Sequence, residues 1–276
     1  MNIKSAIKTR GFPILAVLLL LFYLPVLIDL VKDWYTDANY SHGFIVPLIT
    51  AYLIWRRRRE LAEIEIESCK MGLVLIILGI AFFIVGNAGS EYFTVRLSLV
   101  VTIFGLVLYN FGLPFIRRTW FAFCFLLFMI PIPYVVYFSL AFPMQLLASK
   151  ISVVFLGLIG MPIVQQGNIL HLPGTALEVA EACSGMRSLV SLLALGAIYA
   201  YISQKRPAAM GLLFISAVPI AIISNIIRVI ITSLIAYTAQ VDITAEPLHS
   251  IMGASVFLVA FIIMFLEGKL LRRIFR

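Results

Sequence analysis

Charge is what this sequence has little of. Asp, Glu, Lys and Arg make up 12% of its 276 residues and apolar residues 62%, with a mean hydropathy of +1.07. So little charge cannot cover a water-facing surface, which excludes a soluble domain and makes the bilayer the natural solvent. Cysteine is scarce as well: Cys69, Cys124 and Cys183 stand far apart with no C-x-x-C among them. That argues against a disulfide framework or a metal centre, and no pattern calls for a cofactor. There is no internal repeat, no low-complexity stretch and no polar linker long enough to separate a pair of domains, so residues 1–276 are read as one helical membrane domain.

The charge that is present has a pattern. The net charge of +8 comes from clusters at the ends of apolar runs: Lys4, Lys8 and Arg10; Arg56 to Arg59; Arg117 and Arg118; Lys205 and Arg206; Lys269, Arg272, Arg273 and Arg276. Such clusters read as positive-inside anchors and argue against a nucleic-acid surface. They set an expectation of eight spans, the second of them short, over residues 12–31, 42–55, 71–89, 97–116, 119–139, 186–202, 208–229 and 250–267, with both termini cytoplasmic. On that topology 16 of the 21 Lys and Arg lie inside, and Lys32, Arg96, Lys150, Arg187 and Arg228 lie outside. Residues 140–160, interrupted by Pro143, Gln145 and Lys150, are read as an interfacial or re-entrant helix on the outer side. The first apolar run carries Pro13 and Pro25 without a small-residue cleavage site, so it is read as a retained span.

One stretch reads as β-structure. Ile169 to Leu172 and Thr175 to Val179 flank Pro173-Gly174, a turn pair suited to a short hairpin. The expected fold is therefore an all-α membrane protein of about eight helices, with a short extracytoplasmic flap at about 162–181. A flap with an open edge could take an extended peptide by strand addition; the plainer reading, a structural loop, comes first.

The flap runs into Glu181-Ala182-Cys183-Ser184-Gly185-Met186-Arg187. Cys183 then stands where a helix begins, and the unpaired N–H groups of a helix start favour the thiolate, the reactive form of cysteine. Ser184 is placed to cap that helix, and Gly185 leaves room for a substrate backbone. The plain alternative is a small apolar filler. Cys69 is expected at the inner surface and Cys124 within an apolar run, away from the level of Arg228 and His249, and both read as bystanders.

Arg228 interrupts the apolar run 222–231, where a guanidinium costs a few kcal/mol or more unless it faces a partner or water. The 21 residues from Pro207 to Arg228 rise about 32 Å, which puts Arg228 near the outer edge, level with Cys183. Asn225 lies one turn below on the same face. A fixed cation there can hold an oxyanion or a carboxylate; its structural alternative is an ion pair with Glu181 or Asp242. His249 opens the last apolar run on the same level and is suited to moving protons at neutral pH. Ser41-His42 begins the second run and places another histidine at that level.

Glu-Ala-Cys183-Ser-Gly-Met-Arg-Ser-Leu, followed by Asn225-Ile-Ile-Arg228, then by His249, resembles the exosortase/archaeosortase family of membrane transpeptidases, and Ser41-His42-Gly43 is similar to that family's early motif. The resemblance implies a protein-sorting enzyme of the cytoplasmic (inner) membrane with its site facing the periplasm or exterior. Its substrates would be exported proteins ending in a short motif such as Pro-Glu-Pro, one transmembrane helix and a basic tail. By position, Cys183 would be the nucleophile, Arg228 the oxyanion or substrate stabiliser and His249 the general acid/base. Glu181, Ser184, Gly185, Arg187, Asn225, Ser41 and His42 would support the site or bind substrate. The acceptor of the acyl group is unknown, and the long C-terminal domain that some members carry is not expected here. Two other classes fit parts of the pattern: a transporter or flippase of an anionic substrate held by Arg228 and Asn225, and an extracytoplasmic thiol acyltransferase.

Overall fold

The computed structural model describes residues 11–173, 175–179, 185–239 and 248–275. They are predominantly helical, and the chain divides into two compact units, Met1–Pro133 and Tyr134–Arg276.

In the first unit, helices α1 (Phe12–Phe22) and α2 (Leu24–Thr36) meet at a 59° bend. Pro25 has no N–H to continue the hydrogen-bond ladder across the junction. Tyr23, fully buried at the bend, is held by its hydroxyl between Ser98 Oγ at 3.0 Å and Thr102 Oγ1 at 2.9 Å. A 3-10 turn (Ala38–Phe44) leads into α3 (Ile45–Arg56), a short α4 (Arg58–Ala62), α5 (Met71–Ala88) and α6 (Tyr92–Phe125). Glu91 caps α6, its carboxylate accepting from the N–H groups of Phe93 and Thr94. The α5–α6 pairing is built on glycines seven residues apart: Gly72, Gly79 and Gly86 meet Tyr109, Thr102 and Val95 in turn. Side chains of one hydrogen let two backbones approach closely where lipid supplies no hydrophobic drive to pack.

The expected spans 97–116 and 119–139 share this one helical stretch, but they do not run straight on. Gly112 breaks the helix at φ 82°, ψ −179°, two residues before Pro114. The carbonyl of Glu67 occupies the place a side chain would need at Gly112. Phe104 and Phe123, which a straight helix would hold about 28 Å apart, have ring centroids only 5.5 Å apart. The chain therefore folds back at Gly112. Near this reversal Arg57 donates to the Arg118 carbonyl at 2.8 Å and Arg118 pairs with Glu60, so two of the basic clusters share one end of the unit. Asp33 and Arg96 form an ion pair elsewhere in the unit.

The second unit opens with α7 (Tyr134–Leu158), which takes up most of residues 140–160. The expectation there is an interfacial or re-entrant segment; α7 is instead long and apolar enough to cross a bilayer. Of the three interruptions only Gln145 is buried, along with Ser149 and Ser152; Pro143 and Lys150 are exposed on an unbroken helix. A three-stranded antiparallel sheet follows, β1 (Val164–Gln166), β2 (Ile169–Leu172) and β3 (Thr175–Glu178), in the order β1-β2-β3. β2 and β3 are the two arms of the expected hairpin, with Leu172 opposite Thr175, and β1 is an addition to it. Helices α8 (Met186–Ser203), α9 (Pro207–Ala239) and α10 (Leu248–Ile274) complete the unit around Leu192, Leu213, Ala217, Ala260 and Met264.

Among the described residues six helices are long and apolar enough to cross a membrane, or seven with the bent α1–α2 pair counted as one span, against the eight expected. That count takes the folded-back α6, which holds most of two expected spans, as one helix, and it includes α7 but not the expected second span. α3 has 12 residues, about 18 Å of rise, well short of a hydrocarbon core of about 30 Å. Helix α9 departs in the other direction: it runs eleven residues past Arg228 to Ala239, because Val229 and Ala236 go on to bury against Leu170, Leu177 and Leu172 of the sheet.

Candidate active site

Helices α8 and α10 run the same way, and α9 runs against them. At one end Gln204 donates to the Gly268 carbonyl at 2.8 Å, beside the basic residues Lys205, Arg206, Lys269, Arg272 and Arg273. At the other end lie Gly185, Asn225, Arg228 and Gly253.

Helix α8 starts from Gly185, whose φ of 82° is left-handed and whose carbonyl accepts the first helical bond from Leu189 N at 2.8 Å. The N-cap position expected for Ser184 thus belongs to Gly185. A side chain there would be strained by the backbone angle and would also meet Asn225: a Cβ would stand 2.9 Å from both Asn225 Cβ and Cγ. On the side where a Cβ would project, Gly185 meets Asn225, which is 4% exposed. The turn carrying the cysteine motif is therefore seated on α9 through one glycine. Gly185→Ala is expected to destabilise the protein by about 1–3 kcal/mol, seen as a lower thermal midpoint in detergent, and Asn225→Gly in the same chain should restore some of the loss.

Arg228 lies one turn beyond Asn225 and is 8% exposed, which places its guanidinium inside the helix bundle. That group lies against Gly253 of α10: a Cβ at Gly253 would stand 3.6 to 3.8 Å from its Nη2, Cζ and Nη1 atoms. Those are ordinary contact distances. Gly253→Ala is accordingly expected to leave thermal stability and Arg228 in place, whereas Gly253→Leu would have to push the guanidinium aside and should cost most of any function that depends on it. Gly253 also lies four residues after His249, one helical turn along the same face of α10.

The structure so brings together the turn after Cys183, the Asn225–Arg228 face of α9 and the first turns of α10. Cys183, Glu181 and Ser184 themselves lie outside the described residues, as does Asp242, and of His249 only the backbone is described. Arg187 is exposed at the start of α8. Ser41 and His42 belong to the first unit: Ser41 Oγ donates to the Ala38 carbonyl at 3.1 Å, and His42 Nε2 lies 3.1 Å from the Phe128 carbonyl. Gly253 does not stand out in the sequence. One glycine in a long apolar run carries no signal until the neighbouring helix is known.

A family profile described as transmembrane exosortase matches residues 34–266, more than four-fifths of the chain. The chain belongs to the transmembrane exosortase family. No curated protein and no solved structure matches it. Exosortase membership brings with it membrane-protein substrates bearing sorting signals and a bilayer setting, in accord with the apolar helices. The matched span includes Ser41 and His42 as well as Cys183, Arg228 and His249, so every residue of the proposed site falls inside the exosortase region of the chain.

Proposed function

We propose that this exosortase is a cysteine transpeptidase of the cytoplasmic membrane, acting as a single domain, that releases C-terminal sorting signals through a thioester. The observation that carries the reading is the double contact of α9: Asn225 against Gly185, two residues after Cys183, and Arg228 against Gly253, one turn from His249. A thiol, a fixed cation and an imidazole are the components of an acyl-transfer centre.

The Cys183 thiolate attacks the carbonyl of the scissile peptide bond and forms a tetrahedral oxyanion. Arg228 stabilises that oxyanion with a charge already in place before the reaction. The intermediate collapses to a thioester as the C–N bond breaks, and His249 donates the proton that the leaving amine needs. An acceptor amine, hydroxyl or water then attacks the thioester, gives its proton to His249 and returns Cys183 to the thiolate. The substrate's own helix lies against the bundle and holds the scissile bond in place. Glu181, Ser184, Arg187, Ser41 and His42 are assigned to support or substrate binding. The site faces the periplasm or exterior, with both termini cytoplasmic.

Co-expression with a tagged reporter ending in Pro-Glu-Pro, an apolar helix and a basic tail tests the proposal. Wild-type protein should release the tail and, with acceptor withheld, accumulate a hydroxylamine-sensitive adduct on Cys183 carrying the reporter's own acyl end. Tail release with no such adduct at any time would overturn the thioester. An adduct carrying a lipid acyl group would assign the thiol acyltransferase reading in its place.

A further inference from the structure

We infer that the outer edge of β3 binds the extended segment of the substrate by strand addition and delivers it to Cys183; the inference rests on the thioester reading above. Strand β3 is an edge of its sheet, and among the described residues no strand pairs with its far side. Val179 N donates to the Asn168 carbonyl at 2.8 Å, in step with the β2–β3 register in which Leu177 faces Leu170 and Thr175 faces Leu172. In an antiparallel ladder the bonded pairs alternate with pairs whose N–H and C=O groups turn away. Those of Ala176 and Glu178 therefore turn outward, spaced as a further strand requires.

The edge is anchored on α7 and α9. Leu170, Leu177 and Val179 bury against Ala148 of α7 and Val229 of α9, the residue after Arg228. Side chains alternate across the sheet, so Ala176 and Glu178 stand on the exposed face while their neighbours are anchored. Cys183 is the fifth residue after Glu178, a reach of at most about 17 Å. An extended peptide on this edge lies along the strand that leads into the nucleophile, and backbone pairing holds its scissile bond in one register while leaving its side chains free to vary.

Disulfide trapping tests this. Ala176→Cys is combined with Cys69→Ser, Cys124→Ser and Cys183→Ala, so that the reporter is bound and not cleaved. A single cysteine is then stepped one residue at a time through the reporter segment just outside its membrane helix. Strand pairing gives cross-links at every second position, because side chains alternate between the two faces. Cross-links at consecutive positions, or none while the reporter still co-purifies, would overturn the inference. As a second measurement, Ala176→Pro removes an outward N–H and leaves the β2–β3 bonds intact, and should raise KM for the reporter about tenfold; an unchanged KM counts against the edge. Tail release by Cys183→Ala alone would defeat the thioester reading instead, whatever the cross-linking pattern.

Discussion

Cys183→Ala is expected to lower tail release by about 10⁴-fold or more, with the protein still extracted from membranes at its normal level and thermal midpoint. Loss of a covalent nucleophile removes the reaction path itself, and what remains is the rate that binding and oxyanion stabilisation alone can support. Cys183→Ser should fare nearly as badly. A hydroxyl ionises far above a thiol, and neither a helix start nor a nearby cation brings it into the neutral range. Cys69→Ser and Cys124→Ser are the internal controls and should leave release unchanged. Cys69 lies in the loop before α5 and Cys124 on the second arm of α6, both in the first unit. Undiminished processing by both Cys183 variants would remove it as nucleophile and bring the anion-transport reading forward.

Arg228→Ala should reduce kcat by about 10²–10³-fold, the usual effect of losing one preorganised oxyanion stabiliser. Arg228→Lys is expected to recover little, since a flexible point charge does not reproduce a planar fork packed flat on Gly253. Thermal stability separates this role from a structural one. A guanidinium among apolar helices is costly to hold, so if catalysis is the reason it is kept, Arg228→Ala should melt at or near the wild-type temperature. A lower midpoint in parallel with lost activity would make Arg228 a structural ion-pair partner. Transport would give a different pair of results, sensitive to Arg228 and indifferent to Cys183.

The local features are legible because they break a pattern. Arg228 stands out in an apolar run, Pro173-Gly174 marks a turn between two β-like arms, and the basic clusters mark run ends; each is a departure from the residues around it. The family likeness is legible for the same reason, in motifs of polar and small residues set in an apolar background. Less legible is how helices begin, end and turn. Charge puts the reversal of α6 at Arg117–Arg118, as at a membrane edge, and it falls at Gly112, where the Glu67 carbonyl needs the space. Residues 42–55 look like a span by hydropathy, yet their helix is only 12 residues long, because residues 38–44 coil into a 3-10 turn that Trp34 and Gly43 hold tight.

By itself the sequence determined the class, a helical membrane protein, along with the sheet's hairpin and the order of the cysteine, arginine and histidine motifs. Length times rise and the position of charge are enough for that. The tertiary structure alone decided which faces meet. It seated Gly185 on Asn225, laid Arg228 across Gly253 and made β3 an edge of its sheet. A helix bathed in lipid is apolar on every side, so hydropathy carries no record of its rotation about its own axis. That rotation is set by where small residues allow two backbones to touch, a property of pairs of helices and not of either one.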